Sequence, residues 1–187
     1  MNLKRNSKLS VYQMTAVSLM TALLCILGPI AIPVGAVPIS FTNFVIYLAI
    51  YLLGMKLGTL SCCIYLLAGM AGLPVFSGYS GGLAKLAGPT GGYLIGFLFM
   101  AMISGVIIQK HPGKTGWSIF GMGIGTLIAY LLGTIWFMFQ TNCTLWYALT
   151  ICVLPFLIFD AIKIVLASRI GILLRRTLQK AGFLKNL

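Results

Sequence analysis

Four stretches of this chain, residues 9–55, 57–84, 86–109 and 115–159, carry no acidic, lysine or arginine side chain. Each is longer than the roughly 20 residues an α-helix needs to cross the hydrocarbon of a bilayer. Backbone in hydrocarbon has no water to bond, so such runs pair their N–H and C=O groups within helices. With 60% hydrophobic and 7% charged residues the chain cannot cover a soluble surface. It reads as an all-α integral membrane protein, one polytopic domain over residues 1–187 with no soluble module. The basic start followed by apolar sequence is not read as a cleaved secretory signal, because the apolar run is long and further spans follow.

The formal charge of +12 matters less than where it falls. Lys4, Arg5 and Lys8 precede the first span, Lys56, Lys110 and Lys114 mark short connections, and Arg169, Arg175, Arg176, Lys180 and Lys185 close the chain. Basic residues gather on the cytoplasmic side of membrane proteins, so both ends belong there and the number of crossings is even. This charge is a topology signal, and no nucleic-acid partner is expected. Even parity divides residues 41–72 into two short helices around Gly54-Met55-Lys56-Leu57-Gly58. Six spans follow, at about 11–28, 36–54, 57–72, 92–109, 117–139 and from 145 or 155 to 175. Eleven of the thirteen basic residues are then cytoplasmic, with Lys85 outside and Lys163 within the membrane. Trp117, Trp136 and Trp146 fall near helix ends, where indole rings prefer to sit.

Pro155 leaves two starts for the last span, and a start at Pro155 is the favoured one, since proline suits the first turn of a helix. A start at Pro155 puts Asp160 about 8 Å down the helix, and a start at Leu145 puts it about 23 Å down, at 1.5 Å per residue. Asp160 is the one acidic residue of the chain, and Lys163 lies one turn away in the same apolar run. A carboxylate at the bilayer centre costs about 3 kcal/mol, so a lone one with a cation beside it reads as a functional site. A purely structural pairing is the weaker reading, because desolvation can exceed the attraction of a buried pair.

Residues 72–93, GLPVFSGYSGGLAKLAGPTGGY, contain seven glycines and one charge. An apolar external segment of this kind is expected to fold back as a cap over the bundle. Gly81, Gly82 and Gly92 would let backbone approach a ligand, and Tyr79 and Tyr93 could cover a flat one. No GxxxxGK[ST] is present, and Gly121, Gly123 and Gly125 lie within a predicted span, where they favour close helix contact over nucleotide binding.

Three pieces in register, VPISFTNF at 37–44, GLPVF-SGYSGGL-GPTGGY, and the DxxK of Asp160 and Lys163, resemble the biotin-specific S components, the BioY family, of energy-coupling factor (ECF) transporters. The resemblance runs over nearly the whole chain. It implies a six-helix S-component bundle in a prokaryotic cell membrane, high-affinity capture of biotin from outside, and a partner complex of one transmembrane coupling protein (T component) and two ATP-binding-cassette ATPases. Biotin is then cargo, and no cofactor or metal is implied.

The side chains suit that ligand. Biotin has a ureido ring with two N–H donors and a carbonyl, a thioether ring, and a valerate carboxylate. Asp160 can accept a ureido N–H in a charge-assisted bond, Asn43 can donate to the carbonyl, and Thr42 offers a hydroxyl beside it. Lys163 can neutralise Asp160 or reach the valerate, and neutralisation is the first expectation, because an isolated buried carboxylate tends to take up a proton. Lys85 is a second cation for the valerate, at a position where the family usually carries an apolar or small residue. Thr15, Ser18 and Ala22 share one face of the first helix, and small residues there admit a partner backbone. In S components an alanine-rich face of this helix docks on the coupling protein, and here Thr15 and Ser18 stand in for alanines.

The remaining features carry little. Cys25, Cys62, Cys63 and Cys152 sit in apolar runs, and Cys143 reads as a free thiol. Asn142-Cys143-Thr144 fits a glycosylation sequon without a eukaryotic secretory context to use it. His111 has no second ligand type nearby, so metal binding is not expected. An S component for another vitamin, a solitary facilitator and an intramembrane enzyme are the competing readings. The last lacks the clustered acids or histidine pair that its chemistry requires.

Overall fold

A computed structural model describes residues 9–33 and 37–183, so Lys4, Arg5, Lys8 and Lys185, which set the expected side of both chain ends, lie outside the described residues. Helix α1, Val11–Leu27, opens on a capping box. The Ser10 hydroxyl accepts from the Gln13 amide at 3.1 Å, and the Gln13 side chain accepts from the Ser10 amide at 3.2 Å. These two bonds satisfy donors that a helix start leaves open. One face of α1 buries Val17, Met20, Thr21 and Leu24.

A short antiparallel ribbon follows, β1 (Ala31–Ile32) against β2 (Ile39–Ser40), pairing Ala31 with Ser40 and Ile32 with Ile39. Sequence alone places a helix from residue 36, whereas α2 begins at Thr42. Pro38 accounts for the difference: it has no N–H to give a helix and biases Val37 toward extended backbone.

The helical path of α2, Thr42–Met70, breaks at Gly54, with φ 79° and ψ 178°. A methyl group added to Gly58 would lie 3.0 Å from the Ile50 Cα. On a straight helix, residues eight apart are separated by about 12 Å, so the chain turns back on itself at Gly54. The positive φ admits glycine and strains any L side chain there. Lys56 is exposed at the tip of this turn.

After α2 the glycine-rich segment is packed onto the bundle and carries a short helix of its own, α3, Leu83–Ala87. Val75 and Phe76 are buried. The Tyr65 hydroxyl donates to the Val75 carbonyl at 3.0 Å, and the Phe76 ring meets Tyr65 edge-on at 5.6 Å. Gly78 N–H reaches the Pro29 carbonyl at 3.0 Å, and Trp136 Nε1 donates to the Gly88 carbonyl at 2.9 Å.

Helices α4 (Gly91–Lys110) and α5 (Thr115–Thr141) form the closest pair in the bundle. A methyl on Gly96 would meet the Ala129 Cα at 3.0 Å, one on Gly121 the Ile107 side chain at 2.8 Å, and one on Gly125 the Met100 carbonyl at 3.0 Å. Without lipid-phase hydrophobic drive, such small residues hold helices together by letting backbones touch. Gly121 and Gly125 therefore act in packing, as the sequence implies, whereas Gly123 faces open space and does not.

The chain ends in α6, Leu145–Cys152, and α7, Leu154–Lys180, which meet at an angle of 41°. The last span is not one straight helix from Leu145, and α7 begins at Leu154, within one residue of the start favoured at Pro155. The span is broken at Val153, with Pro155 in the first turn of α7. Among the described residues, α4 and α5 are each long and apolar enough to cross a membrane, α2 is so only in its summed length since it turns back at Gly54, and α6 with α7 passes the same test as a bent pair.

Candidate ligand-binding site

Where α2 starts, α7 passes beside it, and the two bring together groups more than a hundred positions apart. Asn43 stands in the first turn of α2, Ser40 ends β2, and Asp160 and Lys163 lie one turn apart on α7. Asp160 Oδ1 accepts from Asn43 Nδ2 at 2.8 Å and from Lys163 Nζ at 3.0 Å. Asp160 Oδ2 accepts from the Tyr130 hydroxyl of α5 at 2.6 Å. Asp160 is 5% exposed and Lys163 9%, so neither charge leans on solvent. The N-terminal end of α2 adds its positive dipole near the carboxylate.

Lys163 has a further constraint. An ammonium has three N–H donors. Here they meet Ser40 O at 2.8 Å, Asn43 Oδ1 at 3.2 Å and Asp160 Oδ1 at 3.0 Å. Each donor thus already has an acceptor within the protein. Asn43 Oδ1 also accepts from the Phe44 amide at 3.0 Å, which fixes the amide plane and leaves one Nδ2 hydrogen unassigned. Asp160 likewise keeps one lone-pair site on Oδ2 after its three bonds. The cluster thus neutralises and orients itself, and offers one acceptor and one donor.

These groups line a partly open cleft. Phe97, Leu94, Met100, Ala129 and Phe156 give it apolar walls, and Ser77, Lys85 and Thr90 of the glycine-rich segment border it. An apolar pocket with a few convergent polar groups is the usual form of a small-molecule site.

Of the residues marked in the sequence, Asp160, Lys163, Asn43, Thr42, Tyr93 and Lys85 line the cleft. Thr42 Oγ1 accepts from Ser40 Oγ at 3.0 Å. The Tyr93 hydroxyl is held by the Cys152 carbonyl at 3.1 Å. Four others do not line it. Tyr79 is 69% exposed, with φ 55°. Gly82 donates its N–H to the Gly69 carbonyl at 2.7 Å, and a methyl on Gly81 would strike the Leu73 carbonyl. Gly92 packs against Trp136. The glycines thus tighten the fold of the cap and bundle. Thr15, Ser18 and Ala22 are exposed on α1, on the face opposite Val17, Thr21 and Leu24.

Sequence reading alone does not single out Tyr130. A signal is present: Thr126, Tyr130 and Thr134 recur every four residues in an apolar run and so form one polar stripe on α5. All three are buried.

Residues 3–180 match the sequence model described as "BioY family". The chain is 37% identical over 164 residues to a protein of Thermotoga maritima called "Biotin transporter BioY", covering 88% of this chain and 96% of that one. It is 33% identical over 174 residues to "Biotin transporter BioY2" of Lactococcus lactis subsp. cremoris, covering 93% and 94%. Among solved structures it resembles a crystal structure of the S component for biotin from an ECF-type ABC transporter, with a TM-score of 0.83, 34% identity, and coverage of 94% of this chain and 95% of that one.

Proposed function

Because the chain belongs to the BioY family, we infer that it is the biotin-binding S component of an ECF-type ABC transporter, a multi-pass protein of a prokaryotic cell membrane and not an enzyme. The observation that carries this reading within the molecule is the Asp160 cluster in the wall of an otherwise apolar cleft. Asp160 Oδ2 accepts a ureido N–H, and the spare Asn43 hydrogen goes to the ureido carbonyl. The thioether ring lies against Phe97, Met100 and Phe156, while Thr42 and Tyr93 bound the pocket. Lys163 serves as counter-ion, since its three donors are already engaged.

Lys85 then meets the valerate carboxylate near the mouth. It lines the cleft, is half-buried, and among the described residues no hydrogen bond or ion pair engages its ammonium. A half-exposed ion pair is worth about 1 kcal/mol. Lys85→Ala should therefore weaken biotin binding roughly fivefold, and leave the affinity for biotin amide, which lacks the carboxylate charge, within about twofold of wild type. Equal losses for both ligands would remove Lys85 from this role.

The turn at Gly54 and the bent α6–α7 pair support a six-span arrangement with both ends on the cytoplasmic side. Partners of the expected kind are a T component and two ABC ATPases, which supply the energy this chain has no motif to harvest. The exposure of Thr15, Ser18 and Ala22 favours docking of the T component over packing within the bundle. Ser18→Leu should reduce co-purification with the T component while leaving biotin affinity unchanged, and the reverse pattern would refute the assignment.

Titration calorimetry of the purified protein with biotin, thiamine and riboflavin tests the reading as a whole. Saturable binding of biotin alone is expected. Preference for another vitamin would assign a different cargo, and a chemically altered ligand after incubation would point to an enzyme.

A further inference from the structure

Resting on the reading of biotin as cargo, we propose that Tyr130 determines specificity for the ureido group by transferring its hydroxyl hydrogen bond from Asp160 to the ureido carbonyl when the ligand enters. The Tyr130 hydroxyl donates to Asp160 Oδ2 at 2.6 Å, and both groups line the cleft. A phenolic proton has two in-plane positions about its C–O bond, so this donor can be redirected by a half-turn, with the ring backing slightly away from the carboxylate as the shared proton leaves.

The spacing fits the exchange. In a cyclic urea the nitrogen and the adjacent carbonyl oxygen are about 2.3 Å apart, from bond lengths of about 1.33 and 1.23 Å. Two partners that bond that edge in parallel must lie at a similar separation, with the acceptor facing N–H and the donor facing C=O. Asp160 Oδ2 and the Tyr130 oxygen stand side by side in this way, 2.6 Å apart while they share the proton and somewhat wider once it turns to the ligand. The carboxylate gives up the tyrosine O–H and receives the ligand N–H, so its count of bonds is unchanged. The ureido carbonyl gains a donor it would otherwise lack in an apolar pocket, and a buried carbonyl without partners is costly.

Among nearby alternatives for that donor, Thr42 lines the cleft with a hydroxyl that accepts from Ser40 and whose own proton is uncommitted, and the others are already engaged. Lys163 has its three N–H groups engaged by Ser40, Asn43 and Asp160. Thr126 donates to the Met122 carbonyl at 2.8 Å, and Tyr65 to the Val75 carbonyl at 3.0 Å. Asn43 supplies one spare N–H, and a carbonyl oxygen has two lone pairs. Tyr130 fills the second. The site then favours a ring urea over a bicycle of the same shape without the carbonyl, because both edges of the polar head are paired.

The test compares the full-length protein and Tyr130→Phe in titrations with biotin and with thiobiotin, in which sulfur replaces the ureido oxygen and accepts hydrogen bonds poorly. The variant should lose about 10- to 50-fold in affinity for biotin, as expected for one buried hydrogen bond, and less than about threefold for thiobiotin. Equal losses for both ligands would reduce Tyr130 to a positioning residue for Asp160 and overturn the exchange, as would unchanged affinity for biotin. Absence of biotin binding by wild type would instead sink the cargo reading. Should Tyr130→Phe fail to fold, the infrared ureido stretch of isotope-labelled biotin bound to wild type decides. Two protein donors lower it below its frequency in water, and a band at or above that frequency overturns the proposal.

Discussion

Asp160→Ala should abolish measurable biotin binding while leaving a folded, monodisperse protein. The carboxylate is the acceptor for a ureido N–H, and it also orders Asn43 Nδ2, Lys163 Nζ and the Tyr130 hydroxyl within 3.0 Å. Its removal costs the ligand one charge-assisted bond, worth about 1.5–3 kcal/mol, and frees the surrounding donors to point elsewhere. Together these give a loss of at least about a thousandfold, or 4 kcal/mol. The fold survives because Lys163 keeps two acceptors, Ser40 O and Asn43 Oδ1, and because each helix satisfies its own backbone. Titration calorimetry on the purified variant measures the effect, and near-normal affinity would remove Asp160 from the site. Asp160→Asn keeps the shape and loses the charge, so its affinity should fall between those of wild type and Asp160→Ala.

The parts legible in the sequence are those set by what hydrocarbon forbids. Long charge-free runs mark helices because neither charge nor unpaired backbone is tolerated there, and α2, α4 and α5 lie where those runs predict. Asp160 and Lys163 stand out for the same reason, being charges where charge is expensive. Asn43 follows from its place in a motif. The ribbon at β1 and β2 is not legible, since two residues per strand leave no periodicity to read and Pro38 alone hints at extended backbone. Tyr130 is hidden by chemistry: a tyrosine is amphipathic, and eight of them in an apolar chain look alike until a partner is known. The glycines of residues 72–93 invite too generous a reading. Glycine serves close packing as readily as ligand approach, and Gly81 and Gly92 face Leu73 and Trp136, which lie far from them in sequence or across a turn.

Lys163→Met separates the structural from the functional share of the cluster, because it leaves the Asp160 charge buried with only neutral donors, Asn43 Nδ2 and the Tyr130 hydroxyl. The two side chains are 11% and 8% exposed, so water cannot replace the lost ammonium. Breaking a buried pair in this way costs about 3–5 kcal/mol, which should appear as a large drop in the thermal midpoint followed by tryptophan fluorescence. Adding Asp160→Asn removes the stranded charge and should restore most of that loss, since a neutral amide beside a thioether pays little desolvation penalty. Biotin binding should stay weak in the double variant, because the amide then present at position 160 provides no charged acceptor. Stability thus returns without binding. A bridge that merely held α7 in place would recover both together, whereas a Lys163→Met protein with wild-type stability would show that Lys163 is not the counter-ion at all.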